Sequence, residues 1–62
     1  MVGNNVKKCR QAAGLTLAQL EKLSGIPVST LHDIERGAEP RVLTAIYLAK
    51  ALKTNVEKLW PT

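Results

Sequence analysis

Apolar positions in this chain recur at three- and four-residue spacing, and no run alternates apolar with polar in the manner of a half-buried strand. Val6, Cys9, Arg10 and Ala13 stand at i, i+3, i+4 and i+7, one face of a helix that starts at Asn4 or Asn5 and stops at Gly14. Cys9 reads there as core, because a free cysteine behaves as a small buried hydrophobe. Thr16 opens a second helix. Gln19, three residues on, can reach back to it, and Leu15 and Leu20 occupy the two positions of a hydrophobic staple. That helix runs through Leu20 and Leu23 and ends near Ser24 and Gly25, which suits a left-handed turn. Pro27 fits the first turn of a third helix, Leu31 and Ile34 give it a buried stripe with Ile26 just ahead, and Gly37 stops it. Residues 42–52 form a helix that is apolar almost all round. Ala45, Leu48, Ala49 and Leu52 can serve the core, which leaves Leu43, Ile46 and Tyr47 for another face. Asn55 caps a last short helix bearing Val56 and Leu59, and Trp60 beside it either seals the core or extends that outer face. The pattern predicts an all-α chain of four or five short helices with tight connections.

Size changes the picture next. A chain of 62 residues is expected to make a single domain, residues 1–62, with a thin core in which nearly every apolar position counts. A content of 45% hydrophobic and 23% charged residues is that of a globular soluble chain, neither disordered nor membrane-spanning. No apolar stretch approaches the roughly 18 residues of a transmembrane helix, and residues 1–5 lack the layout of a secretory signal, so the expected compartment is the cytoplasm. One cysteine excludes an internal disulfide, and one histidine without CxxC or HxxxH spacing offers no metal site. Ser24, Ser29 and His32 have no base and orienting acid arranged as a triad, and no glycine-rich phosphate loop occurs, so neither an enzyme nor a cofactor is expected. Nothing in the sequence calls for a small-molecule ligand. The net charge of +4 favours a polyanionic partner, though such a charge also serves solubility.

Two short helices joined by a glycine-containing turn form a corner, which holds the second of them out from the body where a major groove can accept it. Gly14-Leu15-Thr16, Leu20, Ser24-Gly25-Ile26, Ser29-Thr30-Leu31 and Ile34-Glu35-Arg36-Gly37 follow one another in the order and spacing of that corner. This run resembles the phage repressor and Cro type of helix-turn-helix, the Xre family. The likeness continues through Pro40 and Leu48-Ala49-Lys50-Ala51-Leu52 to Val56 and Leu59 and so covers nearly the whole chain. It implies a compact five-helix domain with the motif at about residues 16–36. Its third helix, about 28–35, would be a recognition helix, usually working in a dimer on a palindromic operator in double-stranded DNA.

With Leu31 and Ile34 pointing inward, Val28, Ser29, His32 and Asp33 face the groove as base-contact candidates. Ser29 can bond a base edge or a phosphate, Val28 can touch a thymine methyl, and Asp33 can accept from a cytosine amino group. For each the alternative is an ordinary solvated surface residue. Phosphate contacts are expected from Thr30, Arg36 and Arg41, from the backbone near Thr16 and Leu17 at a helix N-terminus, and more weakly from Lys7, Lys8 and Lys22. Lys50, Lys53 and Lys58 are expected only to solvate a face. The resemblance also implies a partly buried structural ion pair between Arg10 and Glu35.

Four positions depart from the family pattern. Leu17 replaces a glutamine that contacts phosphate in many relatives, Glu21 a small residue, Pro27 a capping serine or threonine, and Lys53 a common glycine. A rival reading follows: a protein-interaction module of the same fold, antitoxin-like or a regulatory partner. The outer face of the fourth helix supports it, since an all-round apolar helix in so small a domain implies a partner surface. Homodimerisation through Leu43, Ile46, Tyr47 and Trp60 would cover that face and also serve DNA binding. The length suits either a stand-alone repressor or the N-terminal domain of a longer regulator.

Overall fold

A computed structural model describes residues 4–61. Met1, Val2, Gly3 and Thr62 lie outside the described residues, and with them most of the N-terminal stretch read as lacking a signal layout. Five α-helices follow one another: α1 (Val6–Ala12), α2 (Leu17–Ser24), α3 (Val28–Glu35), α4 (Val42–Ala51) and α5 (Val56–Leu59). There is no strand among the described residues, and no helix is long and apolar enough to cross a membrane.

Each helix sends at least one side chain into the same centre. Val6 from α1, Leu20 from α2, Leu31 and Ile34 from α3, Leu48 from α4 and Leu59 from α5 are fully buried. Ile26, Ala45 and Ala49 are buried beside them, and Cys9, Leu15, Leu17, Leu52, Val56 and Trp60 pack on the outside of this cluster. Spread over so many elements, the core makes every helix dependent on the others. None of these helices exceeds ten residues, a length at which an isolated helix is marginal in water.

Local chemistry fixes the ends. Thr16 caps α2 with its hydroxyl oxygen accepting from the Gln19 amide at 3.1 Å, while the Gln19 side chain accepts from the Thr16 amide at 2.8 Å. Gly25 closes α2 in the left-handed region at φ +77. A Cβ there would meet nothing within 4 Å, so backbone conformation and not crowding calls for glycine. Lys53 adopts the same region at φ 56 after α4, a conformation for which glycine would be the unstrained choice. Pro27 stands one residue earlier than its reading as a first-turn residue, serving as the N-cap of α3 without a side-chain bond. Ahead of it the Ser24 hydroxyl donates to the Leu20 carbonyl at 2.8 Å and accepts from the Ile26 amide at 3.2 Å, which orders the turn between the two helices. Ala13, counted into the apolar face of α1, is instead its exposed C-cap, because the helix ends at Ala12 and the chain turns outward.

Polar bonds tie the N-terminal segment to the far ends of the chain. Asn4 accepts from the Val6 amide with its side-chain oxygen at 3.0 Å and donates through Nδ2 to the Ile34 carbonyl at 2.8 Å. Asn5 donates from its amide to the Leu59 carbonyl at 2.8 Å and from Nδ2 to the Lys58 carbonyl at 2.9 Å. Two adjacent asparagines thus hold α1 against the C-terminal ends of both α3 and α5.

Candidate nucleic-acid interface

The corner is made by α2, the Gly25 turn and α3, with Ile26 tucked under it. Helical periodicity then decides what α3 presents. Leu31 and Ile34 point into the core, Val28 and Glu35 flank them half-buried, and Ser29, Thr30, His32 and Asp33 stand exposed. Val28, expected to face the groove, offers only part of its side chain to the outside. Ser29 and Asp33, one turn apart, are neighbours on this exposed side. Arg36, the C-cap of α3, is exposed at the end of the same side, and Arg41, the N-cap of α4, is exposed just beyond.

At the start of α2 the capping box already uses the Thr16 amide, so that amide is spent on Gln19. The hydroxyl hydrogen of Thr16 and the first-turn amide of Leu17, which has no acceptor within the helix, remain for an external anion. The Leu17 side chain packs half-buried against the core. Glu21 points to solvent, so the approach of α2 to α3 is not obstructed by it. Lys7, Lys8 and Lys22 are exposed, as are Lys50, Lys53 and Lys58 on α4, the following turn and α5.

Below the exposed face lies a polar strut. Arg10 Nε donates to Glu35 Oε2 at 2.6 Å and its Nη2 to Oε1 at 3.3 Å, a two-point contact between α1 and the last residue of α3. Its remaining arm, Nη1, donates to the Leu15 carbonyl at 2.7 Å, so one guanidinium joins α1, the α1–α2 connection and α3. The side chains are only 12% and 7% exposed, which makes the pairing obligatory, since a lone charge at that depth would be unsolvated. The Asn4 bond to Ile34 braces the same end of α3. Sequence reasoning reached the ion pair but missed Asn4, whose partner lies 30 residues away and leaves no local signature.

A second exposed surface lies on α4. Val42 is 75% exposed, Leu43 63% and Tyr47 51%. Ile46 and Trp60 are half-buried and, with Val42, Ala45 and Val56, line a mostly apolar groove of about 280 Å³ edged by Glu39 and Pro40. Of the four residues expected on this face, Ile46 and Trp60 meet in the groove, while Leu43 and Tyr47 stand outside it. Val42, assigned no role by its sequence position, is the most exposed of the large apolar side chains. Trp60 belongs both to the core margin and to the groove, so the two readings of it merge.

A corner of this shape under an exposed polar helix defines a helix-turn-helix domain. The family model described as helix-turn-helix matches residues 6–59, and the chain belongs to this family, in its Xre/Cro type. Over its whole length the chain is similar, at 39% identity, to an uncharacterized HTH-type transcriptional regulator, y4dJ, of Sinorhizobium fredii, of which it covers 83%. Over 66% of its length it is 42% identical to an uncharacterized HTH-type transcriptional regulator, MJ0621, of Methanocaldococcus jannaschii, of which that match spans 24%. No solved structure gives a significant match.

Proposed function

We propose that this chain is a sequence-specific, double-stranded-DNA-binding transcriptional regulator of the cytoplasm, acting as one domain and repressing by occupying its operator. The observation that carries the reading is the division of α3: Leu31 and Ile34 buried, Ser29, Thr30, His32 and Asp33 exposed, and the helix end clamped from beneath by Arg10 and Asn4. A rigid helix with a polar, short-chained outer face fits a major groove, where Ser29 and Asp33 read base edges, His32 borders them and Val28 meets a thymine methyl. Thr30, Arg36 and Arg41, with the Thr16 hydroxyl and the Leu17 amide, bind phosphate and set the register. The relatives' names, both of transcriptional regulators, support the same class.

The described residues extend 27 × 20 × 18 Å, so one copy is shorter than the about 34 Å between successive half-sites on one side of a duplex. We read the α4 face as the contact that pairs two copies, with Leu43, Tyr47 and Val42 covered and Ile46 and Trp60 beneath them. The exposed apolar side chains there equally suit a different protein, the observation that favours the rival interaction-module reading.

Selection from a random duplex pool separates the two. A regulator enriches a two-fold repeated motif and binds it with an affinity that falls by about 10³ or more from about 50 to about 200 mM salt if the dimer makes six or more phosphate contacts. An interaction module enriches no motif and shows no such salt slope.

A further inference from the structure

We propose that Asp33 is a specificity filter: at one position of the bound site it selects cytosine and repels the other bases. The inference rests on the DNA-binding reading above and deepens it. Asp33 sits one turn from Ser29 on the exposed side of α3, its side chain 71% exposed. Its closest ionic neighbour among the described residues is His32, at 4.0 Å, and no hydrogen bond holds its carboxylate. Glu35, two residues on, is spent on Arg10, whereas Asp33 is left unneutralised on the surface that approaches the duplex.

Such an acid is unfavourable against any DNA in general, because the phosphates create a strongly negative field around the groove. It is tolerated only where it meets a donor. In the major groove cytosine presents its N4 amino group with no acceptor beside it on the same base, while adenine flanks its N6 donor with the N7 acceptor. Guanine offers N7 and O6, and thymine offers O4, all acceptors that a carboxylate repels. The outer residues of α3, Ser29, Thr30, His32 and Asp33, include no Arg, Lys, Asn or Gln. Within α3 the Asp33 carboxylate is the one outer side chain that can only accept, with Arg36 following as the C-cap, so at the position Asp33 meets the choice between donor and acceptor falls to it. Asp33 gives up general affinity and gains rejection of wrong bases.

The test compares random-duplex selections by the wild-type protein, Asp33→Asn and Asp33→Ala. Because the side chain is exposed and unbonded, both variants should melt as the wild type does, which circular dichroism checks. The wild type should enrich a motif containing a cytosine whose replacement weakens binding by about tenfold or more. Asp33→Asn should change that one position to adenine, since an amide can accept from N6 and donate to N7 together. Asp33→Ala should erase the preference there and bind random duplex more tightly. If both variants enrich the wild-type motif unchanged at every position, Asp33 is a solvated surface acid and the inference is overturned while the regulator reading stands. If the wild type itself enriches no motif, both fall together.

Discussion

α3 and α4 each present one exposed side to solvent, and the two sides are opposite in chemistry. The outer side of α3 is short-chained and polar, ending in Arg36, and a guanidinium and an asparagine brace it from beneath. The outer side of α4 is apolar, with Val42, Leu43 and Tyr47 more than half exposed and a groove beside them. Water solvates the first at no cost. The second leaves apolar area in water, at about 25 cal/mol for each Å² that a partner would cover. On the reading proposed above, the contrast teaches how so small a domain would separate two tasks. The side proposed to hold a defined shape for DNA is braced by directional polar bonds, whereas the side proposed to pair copies is marked by its apolarity.

The severest way to break this contrast is to remove the brace. Glu35→Gln leaves Arg10 nearly buried without a counter-charge and should cost about 2–3 kcal/mol, within or somewhat under the range for breaking a buried pair. In a domain of this size that lowers the melting temperature by about 10 °C or more. Arg10→Lys keeps the charge but loses the two-point grip and the Leu15 bond, so its melting temperature should fall less. Thermal denaturation followed by circular dichroism reads both, and unchanged melting in the two variants removes the strut from the account.

Next in size is a charge placed on the apolar side. Leu43→Glu combined with Tyr47→Glu should weaken self-association by about 100-fold, the effect of burying unpaired carboxylates in an interface, with the monomer's helical content intact. Sedimentation equilibrium measures it, and an unchanged association constant would show that α4 does not pair copies. Smaller again is the polar side: Ser29→Ala should lose about tenfold in affinity for an enriched duplex with no change in melting, measured by fluorescence anisotropy. Loss of melting temperature in place of affinity would make Ser29 a structural residue.

The smallest expected effect lies away from both faces. Lys53→Gly relieves a left-handed backbone at φ 56 but also frees the unfolded chain, so a net gain of about 0.5 kcal/mol is expected, without effect on duplex binding or association. A loss of stability would mean that the Lys53 side chain contributes packing that its exposure does not suggest.

Much of this was legible in the residues. The capping box of Thr16 and Gln19, the stop at Gly25 and the inward direction of Leu31 and Ile34 all depend on interactions within about four residues, which spacing encodes directly. The two sides of α4 were legible for the same reason. Spacing did not expose the connections that close the fold: the reach of Asn4 to Ile34, the hold of Asn5 on α5, or the third bond of Arg10 to Leu15. Each depends on where the chain returns after a corner. Val42 was given neither side of α4 by its spacing, because in a helix apolar almost all round the pattern does not mark which first-turn residue the other helices leave uncovered. Thr16 shows the converse limit. Its amide looked free as a helix-start donor, but the capping box that marks the helix start also consumes it.

Central to all of this is the claim that the outer side of α3, and not α4, meets DNA. The most direct measurement is the change in backbone amide NMR signals when an enriched duplex is added to the protein at a concentration where its association state is constant. Large shifts at Ser29, Thr30, His32, Asp33 and Arg36, with Leu43, Ile46 and Tyr47 undisturbed, are the predicted result. Shifts confined to α4, or none at all at saturating duplex, would contradict it.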